Sequence, residues 1–214
     1  FAGQIEYIQQ TLDTLNIPWI TVEGFEADDI VATGAHLAES AGAEVVVVSG
    51  DRDAFQLISE RTSVLYPTKG ISEIPPRTAA DIEEKYGVPP RLYRHVAALV
   101  GESADNLPGV PKVGPKTAAK WLGQYGDLDG VLAHAEEIRG KAGENLRAHL
   151  EDVRRNFRLN ELRRDLDLPV SFAQLISSSD AARTWLTVPG APSSRSECIV
   201  WTESMTTRSG GLPP

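Results

Sequence analysis

The feature that most restricts this chain is the run Val45-Val46-Val47-Val48, closed by Ser49-Gly50. Four consecutive β-branched apolar residues leave no polar face, so the run reads as a strand covered on both sides, as parallel strands are. Helical spacing precedes it twice. Ile5, Ile8, Leu12 and Leu15 recur over residues 4–15, and Ile30, Val31 and Leu37 are expected to face inward from a helix over 26–40. Residues 19–22 are a short strand candidate, and a further strand is expected over 62–66, before the turn Pro67-Thr68-Lys69-Gly70. Alternating helices and strands point to an α/β layered domain. From Thr78 onward the pattern is nearly all helix, with helices over 78–86, 91–100, 116–125, 128–135 and 145–162.

Acidic residues stand where an α/β sheet binds ligands, beyond the carboxyl ends of its strands. Glu26, Asp28 and Asp29 open a helix just after a strand candidate and a Gly turn. Asp51 and Asp53 follow the buried strand directly, and Glu102 and Asp105 close a later helix. Each group also has a local explanation. Acids suit the first turn of a helix, Asp51 or Asp53 can cap a short helix, and Asp105 can sit in a turn with Asn106. Gathered at one edge, hard oxygen donors without His or Cys suit magnesium or manganese rather than zinc. Such a cluster holds two cations about 3.5–4 Å apart, one orienting a water and the other stabilising a leaving phosphate oxygen. The four histidines, at 36, 95, 134 and 149, share no spacing and read as structural or surface residues.

Leu107 to Lys120 is the most specific segment. Gly109, Lys112 and Gly114 punctuate a hairpin, and Pro115 starts a helix whose free N–H groups suit phosphate oxygens. Lys116 and Lys120 lie on one face of that helix, with Thr117 between them. This local basic stripe matters because the chain as a whole is acidic, with 21 Lys and Arg against 30 Asp and Glu. That balance argues mildly against nucleic-acid binding unless positive charge is clustered or cations neutralise the acids. A lone cysteine, Cys198, excludes an internal disulfide. No apolar run is long enough to span a bilayer.

Together these residues resemble the 5′ nuclease domain of bacterial DNA polymerase I, within the flap endonuclease family. The carrying motifs are Gly24-Phe25-Glu26-Ala27-Asp28-Asp29-Ile30, Ser49-Gly50-Asp51-Arg52-Asp53 and Ala104-Asp105-Asn106-Leu107-Pro108-Gly109-Val110, with a helix-hairpin-helix over 110–122. The resemblance implies an α/β fold of PIN-like type, a parallel sheet with flanking helices, followed by an all-helical helix-hairpin-helix DNA-binding part. Expected boundaries are 1–77 for the nuclease core, 78–170 for the helical part, and 171–214 for a Ser/Thr/Pro-rich tail without fixed structure. The same resemblance implies metal ligation by Glu26, Asp28, Asp29, Asp51, Asp53 and Asp105, with Asp51, Asp53 and Asp105 catalytic. Glu102 stands where the family often has Asp. Two Mg2+ or Mn2+ are implied, and K+ at the hairpin, although Lys112 replaces a hairpin glycine and puts that ion in doubt. Implied DNA contacts are Gly109, Lys112, Gly114, Lys116, Thr117 and Lys120.

Implied partners are DNA with 5′ flaps or nicks, RNA primers on DNA, and the polymerase domain of a longer parent. A monomer working at the bacterial nucleoid in the cytoplasm is expected. The chain starts with Phe rather than Met and lacks the family's first strand and its acidic residue. It is therefore expected to be a truncated piece, weak or inactive as a nuclease. Two other readings stay open: a non-catalytic DNA-binding remnant using the hairpin, and a PIN-like ribonuclease.

Overall fold

The computed structural model describes residues 2–15, 17, 19–67, 74–170 and 197–201. The expected turn at residues 67–70 falls largely outside these residues. Helix α1 (Ala2–Thr14) leads, with Ile5 and Ile8 exposed. Helix α2 (Ala27–Ser40) then lays Val31, Ala32, Ala35 and Ala38 against strand β1 (Glu44–Val48). Alanines on that face let helix and sheet approach closely. Leu37, expected to point inward, lies on the opposite side and is 38% exposed.

β1 runs parallel to β2 (Thr62–Leu65), which pairs antiparallel with the short β3 (Pro76–Arg77). The sheet is therefore mixed rather than purely parallel. Val45 and Val47 are buried, whereas Val46 and Val48 are half-buried, so one face of β1 is better covered than the other. Residues 19–22 are not a strand. A short extended segment has no stability without a neighbour to complete its hydrogen bonds, and β1 has both edges taken.

The second neighbour of β1 corrects an expectation about the tail. Glu197–Trp201 forms strand β6, parallel to β1 in the register Val45↔Cys198 and Val47↔Val200. Residues 171–214 are thus not wholly without structure. The composition that argued for disorder describes the surroundings of this strand, not the strand, which holds Cys198, Ile199, Val200 and Trp201.

The second half contains α3 (Ala79–Tyr86), α4 (Tyr93–Val100), α5 (Pro115–Tyr125), α6 (Leu128–Ala133), α7 (Gly140–Ala148) and α8 (Leu150–Leu159). The single helix expected over 145–162 is two, divided at His149, whose ring nitrogen Nδ1 lies 2.7 Å from the Asn145 carbonyl oxygen. A two-stranded antiparallel ribbon, β4 (Gly101–Glu102) with β5 (Leu107–Pro108), also interrupts the helical part. Buried Asn156 on α8 ties the ribbon to α4, donating to the carbonyls of Pro108 (2.8 Å) and Ala98 (3.4 Å).

Two cores result. One joins α2, β1, β2 and the 3-10 turn Asp53–Leu57; the other joins α4, α5, α6 and α8. Phe55, Tyr66, Tyr86 and Tyr93 pack edge to face where the halves meet, with ring centroids 5.0–6.2 Å apart. Beyond α8 the chain runs as an irregular strap over α2. Arg163 N donates to Asp29 Oδ1 (2.8 Å), Thr33 Oγ1 donates to the Arg163 carbonyl (3.3 Å), and Leu166 N donates to Thr33 Oγ1 (3.4 Å).

Candidate metal centre

Three carboxylates from separate elements meet at the carboxyl end of β1. Asp53 comes from the 3-10 turn after β1, Glu102 from β4, and Asp105 from the turn between β4 and β5; one oxygen of each lies within 4.8 Å of the others. The ribbon that carries two of them depends on a close backbone approach. A Cβ at Gly109 would collide with the Val100 carbonyl, and one at Gly101 with the backbone of Gly109. Asn106, in the left-handed region at φ +56°, completes the turn and is among the residues that tolerate that conformation.

Asp51 stands beside the three. Its Oδ1 accepts the Asp53 amide (2.9 Å), and its own amide is held by Ser49 Oγ (3.0 Å). Arg52 rather than Asp51 occupies the N-cap of the short helix, and the Asp51 bond instead fixes the backbone of Asp53. The acids at the start of α2 are not members of the close group. Glu26 occupies the N-cap position without capping through its side chain, and Asp29 gives Oδ1 to the strap. Asp28 is half-buried in the first turn of α2.

The electrostatics favour a bound cation. Burial, then the charges of Glu102 and Asp51, push Asp53 from the ordinary carboxylate range up to about 9. Burial also raises Glu102, aided by the charges of Asp51 and Asp105, while a hydrogen bond with Asp53 and, less strongly, the charge of Arg52 oppose the rise. Converging negative charge in partial burial is costly unless a proton or cation compensates it. Asp53 Oδ1 is buried with no hydrogen-bond partner among the described residues. An orphaned carboxylate oxygen facing other carboxylates fits a hard divalent cation, and the all-oxygen donor set fits the same class.

The hairpin segment places Lys112, Lys116 and Lys120 on the surface, with Gly114 at the N-cap of α5 and Thr117 half-buried. Lys112 adopts φ +67°, a conformation that favours glycine, and Asn145 Nδ2 holds the turn at the Pro111 carbonyl (2.7 Å). Gly109 is occupied by the ribbon's packing. The histidines take structural or surface roles, as their spacing suggested. His95 Nδ1 accepts the Leu128 amide (3.0 Å), His134 bonds a carbonyl one turn back, and His36 is exposed. Sequence reasoning missed Gln56 and Asn160, which connect the site's elements through contacts distant in sequence.

An α/β layer with clustered carboxylates at its strand ends, joined to a helical hairpin part, defines a nuclease-type architecture. Residues 1–87 match the 5'-3' exonuclease N-terminal resolvase-like domain, and residues 88–182 match the 5'-3' exonuclease C-terminal SAM fold. The chain belongs to the 5'-3' exonuclease family. It is 51% identical over 168 residues to DNA polymerase I of Mycobacterium leprae, covering 78% of this chain and 18% of that protein. Against the thermostable DNA polymerase I of Thermus thermophilus the identity is 40% over 175 residues, covering 81% and 20%. The chain thus spans about a fifth of the length of these relatives. The same fold occurs in the D15 protein of T5 crystallised with metal ions, with a TM-score of 0.65, 22% identity, and 85% of this chain and 66% of that one covered. No helix among the described residues is long and apolar enough to cross a membrane.

Proposed function

We propose that this chain is a structure-specific 5′ nuclease domain hydrolysing DNA phosphodiesters with divalent metal. The observation that carries the reading is the meeting of Asp53, Glu102 and Asp105, with a buried, unpartnered oxygen on Asp53. Family membership and the relatives' names give its substrate class. Mg2+ or Mn2+, two ions in all, would be held by Asp53, Glu102 and Asp105, with Asp51 beside them. Glu26, Asp28 and Asp29 are the candidates for completing the second ion's shell, since the strap engages only Oδ1 of Asp29. When bound, such ions supply an activated water and charge stabilisation at the leaving oxygen.

The chain's own residues do the positioning. Asp51 fixes the Asp53 backbone, the β4–β5 ribbon presents Glu102 and Asp105, and the aromatic cluster holds the 3-10 turn rigid from beneath. Lys112, Lys116 and Lys120, with the backbone around Gly114 and Thr117, engage phosphates away from the cut without reading bases. Lys112 supplies at the hairpin a positive charge that K+ would otherwise bring. Flapped or nicked DNA and primer RNA on DNA are the proposed substrates, a polymerase domain the proposed neighbour, and a monomer in the bacterial cytoplasm the proposed working form.

The test is a labelled 5′-flap DNA incubated with the 214-residue chain and Mn2+, beside a binding assay in Ca2+. Cleavage that vanishes in Asp53→Asn supports the reading. Binding without cleavage would make the chain a DNA-holding module instead, and preference for single-stranded RNA would favour a ribonuclease.

A further inference from the structure

The end of α8 is wired to both halves of the carboxylate cluster through one residue. Asn160 is 2% exposed and follows the last residue of α8, its amide bonded to the Asn156 carbonyl (2.9 Å). Its side-chain Nδ2 donates to Glu102 Oε2 at 3.3 Å. Its carbonyl accepts Gln56 Nε2 at 3.0 Å, and Gln56 lies on the 3-10 turn that begins with Asp53. Gln56 is held from its other side, where Arg164 Nη2 donates to its carbonyl (2.9 Å). Asp53 and Glu102 belong to elements far apart in sequence, and Asn160 joins those elements, touching Glu102 itself and reaching the turn of Asp53 through Gln56.

We infer that Asn160 is a positioning residue for the metal centre, orienting Glu102 against Asp53 from the end of α8. The inference rests on the metal-dependent reading above. Three physical points support it. A glutamate has one more rotatable bond than an aspartate, so its carboxylate needs an external partner to hold one orientation. Asn160 engages only one of the two carboxylate oxygens, Oε2. The amide is also neutral. A lysine or arginine there would pair with Glu102 and compete with the metal, whereas an amide donor orients the carboxylate while leaving its charge in place. Partners that orient metal-binding carboxylates in this way typically change metal affinity by about 10–100-fold when removed.

A double-mutant cycle on Mn2+ affinity tests this, using the 214-residue chain and Mn2+ alone, with free ion followed by electron paramagnetic resonance. Asn160→Ala is expected to weaken Mn2+ binding about tenfold or more. In a Glu102→Ala background the same change should cost nothing further, because the group it orients is gone. Asn160→Leu, which keeps asparagine's branched skeleton of heavy atoms, repeats the cycle if the alanine variant fails to fold. Unchanged Mn2+ affinity in a folded Asn160 variant overturns the inference, as does an equal loss in both backgrounds, which marks a general structural role. A parent chain that binds no Mn2+ removes the metal centre itself, an outcome distinct from either.

Discussion

Lys112 offers a place where stability and DNA binding should move in opposite directions. Its φ of +67° puts a side-chain-bearing residue in the left-handed region, at a cost of roughly 1–2 kcal/mol. Lys112→Gly removes that strain. Glycine also gains freedom in the unfolded chain, which returns about 0.4–1 kcal/mol. The backbone of the turn should not move, because Asn145 holds the neighbouring Pro111 carbonyl and Val113 N bonds the Val110 carbonyl. The net gain is then roughly 0–1.6 kcal/mol, centred on about 0.8 kcal/mol, and the central value raises Tm by roughly 2–3 °C for a domain of this size. Lysine at the same position brings a charge to the hairpin tip beside Lys116 and Lys120. Its loss should weaken binding to a flap DNA in Ca2+ and reduce the dependence of log K on log salt by about one phosphate contact. Thermal melts and fluorescence anisotropy at several salt concentrations read the two effects. A variant that melts lower would refute the strain argument. Unaltered affinity and salt slope would refute a phosphate role for this lysine.

Three further outcomes follow from the titrating groups and the sheet. Asp53 has a folded-state pKa above its unfolded one, so the stability it contributes without metal is full below about pH 4 and is lost as pH rises towards 9. In EDTA, Asp53→Asn should therefore stabilise the chain at pH 7 by up to roughly a few kcal/mol and abolish the rise in Tm with Mn2+; denaturant titrations at pH 5 and 8 measure this. His95 is held below its usual range, chiefly by burial, and its Nδ1 must stay unprotonated to accept the Leu128 amide. Its contribution is present above about pH 6.5 and lost as pH falls through the lower folded value. His95→Asn, whose oxygen can replace Nδ1 as acceptor, should flatten the stability difference between pH 7.5 and 5. Ending the chain at residue 182, where the family match stops, removes β6 and opens one edge of β1. Lower Tm and concentration-dependent association in light scattering are expected; a truncated chain that melts like its parent and stays monomeric would argue against the β1–β6 pairing.

What the sequence made legible was local or periodic. Val45 to Val48 announced a covered strand because β-branched apolar residues have few other uses. Pro115 marked a helix start that the structure keeps. Asp53, Glu102 and Asp105 stood out as acids at element ends, but their convergence depends on Gly101 and Gly109 touching backbone to backbone, which no spacing rule anticipates. The break at His149 involves neither proline nor glycine. Asn160 and Gln56 were missed because each is an ordinary polar residue until a distant partner arrives. Residues 19–22 misled for the converse reason: strand propensity is realised only where a neighbouring edge is free.

The pairing of β1 with β6 has a consequence for how the chain is made. Val45 emerges from the ribosome well before Cys198, its neighbour in the sheet. The helical part between them can fold on contacts that are near in sequence, but this edge of the sheet must wait until Cys198 has been made. Non-local parallel pairing is slow to form and leaves apolar strand exposed meanwhile. During that interval the nascent β1 edge is a natural client for chaperones, and the arrival of β6 acts as its built-in release signal.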